Sequence, residues 1–113
     1  MQYYVEEQAR PLREAFEEIV MPWPDVTTRA MFGCPAYLAD ERLFAFLVTE
    51  GVVITQVRKR DRETLAETFE LEPFQAGERT IERWVLVKLS DPAMLGRIMP
   101  YVRKSYQQML SPL

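Results

Sequence analysis

The sequence predicts an α+β domain: a two-layer α/β sandwich with an antiparallel sheet, in the order α-β-β-β-α-β-β-α. Three observations predict it. Leu12, Ala15, Phe16, Ile19 and Val20 recur at helical spacing. From Val26 to Val57 the chain changes to short β-rich runs joined by tight polar turns. After Ser90 the helical period returns in Leu95, Ile98, Val102, Tyr106 and Met109.

The first helix is expected over Leu12–Val20. Val5 and Ala9 extend its stripe backwards, and Pro11 calls for a kink unless it lies in the first turn. Met21-Pro22-Trp23-Pro24 ends it, because two prolines in three residues cannot continue a helix. Val26 to Ala39 reads as a β stretch interrupted by a bulge or turn at Gly33-Cys34-Pro35. Asp40-Glu41 suits a hairpin tip. Leu43–Val48 and Val52–Val57 are strands around the Glu50-Gly51 turn.

Arg58–Glu70 is charged, with Leu65, Ala66 and Phe69 at helical spacing. Leu71-Glu72-Pro73-Phe74 closes that helix. Phe74–Ala76 and Thr80–Leu89 are strands around Gly77. Ser90-Asp91-Pro92 is a helix start, with a capping side chain and a proline at the first position. Pro100 divides the C-terminal segment into a short helix, Ala93–Met99, and a longer one from Pro100 to Leu110.

Strict alternation in Leu43–Val48 puts Leu43, Ala45 and Leu47 on one face and Phe44, Phe46 and Val48 on the other. Both faces are apolar, so the strand is central and covered twice. Helices on one side leave the other to the N-terminal segment, the Trp23 loop, a ligand or a second subunit. A homodimer is one expectation; helices wrapping both faces of a single chain is the other.

With 113 residues, 48% apolar and 27% charged, the chain is one globular domain spanning 1–113. No repeat, linker or low-complexity tract divides it. The N-terminus lacks the basic and apolar regions of a secretory signal, and the longest apolar run, Leu43–Val48, is far too short to span a bilayer. A cytoplasmic protein without membrane contact is expected. The single Cys allows no internal disulfide, and the absence of His removes the usual general base and the commonest metal ligand.

No glycine-rich phosphate loop or calcium loop appears, and no cofactor is expected. Residues 1–57 hold four basic and nine acidic side chains, a balance of −5; residues 58–113 hold ten and eight, a balance of +2. That mild basic excess is smaller than a nucleic-acid-binding face usually shows.

Arg29-Ala30-Met31-Phe32-Gly33, then Tyr37-Leu38-Ala39-Asp40, then Leu43-Phe44-Ala45-Phe46-Leu47 resembles the opening of the TfoX N-terminal domain family. Leu71-Glu72-Pro73-Phe74 and Pro100-Tyr101-Val102-Arg103 resemble that family's E-P-F and P-W-V-R elements. The likeness runs from about Phe16 to Leu110. It departs at Cys34-Pro35, where the family commonly has a second glycine, and at Asp40-Glu41-Arg42, where it commonly has Asp-Gly. The resemblance implies a two-layer fold similar to the secretion-chaperone-like domains. The family takes its name from a regulator of bacterial competence that carries a second domain, for which this chain is too short.

The sequence supports three functional readings. The first is a non-catalytic regulatory or protein-interaction module, with a protein partner or a second copy as its ligand. The second is an anion or nucleic-acid contact through Arg58, Lys59, Arg60 and Arg62, joined by Arg103 and Lys104. The third is a small enzyme or ligand binder using Cys34 or a carboxylate; against it, Cys34 has no base to make it a thiolate. Trp23 is either a partner anchor or the closure of one end of the core, and Trp84 is a core residue.

Overall fold

Two-residue turns build most of the sheet. In the computed structural model, which describes residues 2–110, α1 (Glu6–Val20) leads into β1 (Val26–Met31), β2 (Cys34–Ala39), β3 (Arg42–Val48) and β4 (Gly51–Ile54). Met1 and residues 111–113 of the 1–113 domain lie outside the described residues. Phe32 and Gly33 have φ of 55° and 74°, and Asp40 and Glu41 have 50° and 66°. A pair of positive φ values makes the tight hairpin turn that matches strand twist.

The interruption expected at Gly33-Cys34-Pro35 is therefore a full reversal at Phe32-Gly33. It divides one expected strand into two. Four strands, not three, precede α2 (Lys59–Ala66); β5 (Leu71–Ala76), β6 (Arg79–Lys88), a 3₁₀ helix (Pro92–Arg97) and α3 (Met99–Leu110) complete the chain order. The six strands run in the spatial order β1-β2-β3-β4-β6-β5, all antiparallel.

α1 carries Pro11 inside it without a break. Pro11 is exposed, as is Glu7 four residues back, so the carbonyl that Pro11 cannot serve lies on the water side. Asp91 caps the 3₁₀ helix by accepting the Ala93 N–H at 2.9 Å, with Pro92 at its start, as the sequence signalled.

The helices cover one face of the sheet. Leu12, Phe16 and Val20 of α1 and Ile98, Val102 and Tyr106 pack there with Tyr37, Leu47 and Ile54. Strict alternation fails in β3. Tyr37 pairs with Ala45 but Leu38 with Leu43, so Phe44 is an extra residue in a bulge. Phe44 therefore joins Ala45 and Leu47 on the helix side, and Leu43 joins Phe46 and Val48 on the other. The displaced carbonyls are satisfied. Leu43 O accepts the Thr55 hydroxyl at 2.8 Å, and Phe44 O accepts the buried Ser105 hydroxyl at 2.8 Å and the Thr55 N–H at 3.3 Å. Thr55 is thereby drawn out of the ladder, and β4 stops at Ile54, short of the expected Val57.

The second face is covered by the chain itself. Pro73 pairs with Val85 but Phe74 with Ile81, so Glu82, Arg83 and Trp84 bulge from β6. β4 holds only Val85–Lys88 of that strand. The distal part of the β5–β6 hairpin is thus free to bend, and it carries Phe74 to 5.0 Å and Trp84 to 5.5 Å from the Phe46 ring. Tyr3 lies 5.3 Å from Phe74, and its hydroxyl accepts the Gly77 N–H at 2.7 Å. Phe32 closes the arrangement at 5.9 Å from Phe74. The two-sided apolar strand of the sequence is real, but its second face needs no second subunit for cover.

Candidate functional site

The basic segment does not act as one patch. Arg58 precedes α2 in extended conformation with no side-chain cap, and Lys59 and Arg60 point to solvent. Arg62 turns the other way. Its guanidinium donates to the Glu82 carbonyl at 3.3 Å, capping the β6 bulge. Asp61, half-buried, takes the Lys104 ammonium at 3.1 Å.

Between these elements lies a groove of about 470 Å³ lined by Gln56, Arg58, Asp61, Lys104, Gln107 and Gln108. Two cations and three amides can bind an anionic group there, with Asp61 offsetting one charge. Its lining includes no Cys, Ser or Thr. Arg103, grouped with this segment on sequence grounds, instead lies 4.6 Å over the Trp23 ring and 4.9 Å over Tyr106. Trp23 itself stacks at 4.9 Å on Tyr106 and so closes one end of the helix-side core. Trp84 packs between Phe46 and Phe74.

Cys34 opens β2 and is 1% exposed. Its thiol faces the Phe32 carbonyl at 3.6 Å, and burial pushes its pKa up to about 11. At neutral pH almost all of it is thiol, which is the unreactive form. Labelling of the folded protein by a maleimide at pH 7 is expected to be slow, to accelerate about tenfold per pH unit towards pH 11, and to become fast in denaturant. Stopped-flow or mass-spectrometric labelling checks this; fast reaction of the native thiol at pH 7 would revive Cys34 as a nucleophile.

Three features lie outside the candidate sites that the sequence singles out. The first is a ladder under α1. Arg13 binds Glu6 through two nitrogens at 2.8 and 3.0 Å and Glu17 at 3.0 Å, and the buried Tyr37 donates to Glu17 at 2.7 Å. Tyr4 donates to Glu6. Arg13 and Tyr4 hold the Glu6 carboxyl down at about 2, while burial and then Glu6 push Tyr4 up to about 12. The spacing of Glu6, Arg13 and Glu17 is visible on one helix face; the tyrosines come from elsewhere in the chain. The ladder fixes α1 to β2.

The second feature surrounds Lys88, whose ammonium lies 3.2 Å from Glu70, 3.3 Å from Glu72 and 3.9 Å from Glu50, and whose pKa Glu70 and Glu72 raise. Beside it a cavity of about 380 Å³ opens between the N-terminal segment and β5, with Tyr3, Phe74 and Leu86 in its walls.

The third is the edge of the sheet at β1. Only β2 pairs with β1 among the described residues. The Asp40 N–H donates to the Asp25 carbonyl at 3.1 Å, which fixes the phase of the ladder. Asp25, Thr27, Arg29 and Met31 bond inward to β2, so by alternation Val26, Thr28 and Ala30 turn their N–H and C=O groups outward. Thr27 to Ala30 are exposed. The other edge, β5, is blunted by Pro73 and by the bulge of its partner β6. β1 has neither device.

No protein-family model and no curated protein matches the chain. Among the described residues no group of three or more His, Cys, Asp or Glu could hold a metal ion, and no helix is long and apolar enough to cross a membrane.

Proposed function

We propose that the chain is a non-catalytic regulatory module of the kind the TfoX N-terminal resemblance implies, working in the cytoplasm by binding protein. The open β1 edge carries this reading. It offers a row of unpaired backbone donors and acceptors in a β-branched strand, the surface that strand addition uses. The protonated, buried Cys34 supports it from the other side, because the chain's single thiol is held in its unreactive form.

Native isolation of the tagged protein from its source cells tests this. A stoichiometric protein companion, a second copy included, is expected, and Thr28→Pro is expected to release it by deleting one outward N–H. A metabolite panel is expected to leave Tm unmoved. A protein without a companion whose Tm rises with a metabolite would sink the reading.

The groove lined by Arg58 and Lys104 favours a second reading, contact with an anion or nucleic acid assisted by the exposed Lys59 and Arg60. Its test is titration with short DNA and RNA at low and moderate salt. Binding that falls with salt and with Arg58→Ala supports it, and no salt-sensitive binding ends it.

A further inference from the structure

We propose that the occupant of the β1 edge is β1 of a second copy, paired antiparallel across a two-fold axis at Thr28. The inference rests on the protein-binding reading of that edge and names its ligand. The phase of the ladder allows few registers. With the axis at Thr28, all three outward-facing residues are used: Thr28 meets itself, and Val26 meets Ala30 in both directions. That makes about six inter-chain hydrogen bonds, two for each such pair.

The neighbouring registers are worse. An axis at Arg29 sets two guanidiniums opposite each other. An axis at Thr27 needs an N–H from residue 24, which is proline. In the Thr28 register Arg29 faces Thr27 of the other copy, and that copy's Asp25 and Arg29 take the two diagonal positions, so the guanidiniums do not meet head-on.

Exposed apolar residues point to the same place. Ile19, Met21 and Phe32 are the large hydrophobics exposed among the described residues, at 37%, 38% and 49%. They bracket β1 in sequence. Antiparallel pairing sets the end of one strand, which leads into Phe32, beside the start of the other, which comes after Met21. Two copies would form one continuous sheet and leave only the blunted β5 edges free. This second copy does not cover the face of the sheet, which the β5–β6 hairpin already occupies; it extends the edge.

Sedimentation equilibrium from micromolar to near-millimolar protein is the test. A reversible dimer is expected. Thr28→Lys and Thr28→Glu each place like charges opposite one another at the axis, and each is expected to weaken the dimer by about tenfold or more. An equimolar mixture of the two variants is expected to recover association as a heterodimer. Thr28 is exposed, so circular dichroism and Tm should show both variants folded. A wild-type monomer throughout, a dimer indifferent to both variants, or variants that fail to recover on mixing would each overturn the proposal. A monomer isolated with a different protein companion overturns it too, while leaving the protein-binding reading intact.

Discussion

Phe46→Ala is expected to destabilise the protein by about 3–5 kcal/mol, a large share of a domain's total stability. The side chain is fully buried at the middle of the central strand. It is the ring on which the bent hairpin rests, with Phe74 at 5.0 Å and Trp84 at 5.5 Å, both edge-on. Edge-to-face pairs add to simple burial, so truncation loses transfer energy, aromatic contacts and packing around a new cavity together.

The local consequence is distinctive. β6 is joined to β4 only through Val85–Lys88, so beyond the Glu82–Trp84 bulge the arm is held chiefly by Phe46, Tyr3 and Phe32. Loss of Phe46 should let the arm open before the helix-side core melts. Cys34, packed on that same face, reports the opening: its labelling in the folded variant should accelerate well beyond wild type. Urea denaturation measures the global cost. A loss below about 1 kcal/mol, with Cys34 labelling unchanged, would show that the hairpin is held by something other than this aromatic contact.

How much of this architecture was legible in the sequence depends on the length scale of the signal. The α1 stripe, the Asp91-Pro92 helix start and the two-sided apolarity of Leu43–Val48 are local patterns, and the structure places them as expected. Bulges are not local patterns. Nothing in Leu43-Phe44-Ala45 marks Phe44 as an extra residue, because the bulge is fixed by Thr55 and Ser105, which arrive from 11 and 61 residues away to take the freed carbonyls. One extra residue reverses the face of everything before it, and so Leu43 and Phe44 exchanged sides.

The same limit applies to the basic segment. Arg58–Arg62 reads as a cluster in one dimension, but a helix turns successive residues by about 100°, so the side chains diverge. Arg62 reaches a carbonyl on β6, and Arg58 shares a groove with Lys104 of α3. The open β1 edge was invisible for a further reason. It exists only because Phe32 accepts positive φ and turns the chain back on itself, a conformation that bulky residues seldom adopt.

Gly51→Ala is expected to cost about 3 kcal/mol or more and to act through backbone alone. A Cβ at this position would lie 2.0 Å from the Val87 carbonyl oxygen, 3.0 Å from the Leu89 nitrogen and 3.1 Å from the Lys88 Cα. All three are main-chain atoms of a buried strand and its exit, so no side chain can swing aside. Gly51 opens β4 at the point where it meets both β3 and β6: Val48 pairs with it on one side and Lys88 on the other. The adjoining turn is tied to β6 as well, through the Leu89 N–H to the Glu50 carbonyl at 2.9 Å. A methyl group must therefore push β6 away from β4, and among the described residues β4 is the only strand through which the β5–β6 hairpin joins the sheet.

Gly96 supplies the control. A Cβ there meets nothing within 4 Å, and Gly96→Ala is expected to be neutral or to stabilise by about 0.4–1 kcal/mol through the unfolded chain. Thermal and urea unfolding of the two variants side by side separate the mechanisms. If Gly51→Ala unfolds within about 1 kcal/mol of Gly96→Ala, close backbone approach is not what selects glycine at the β3–β4–β6 junction.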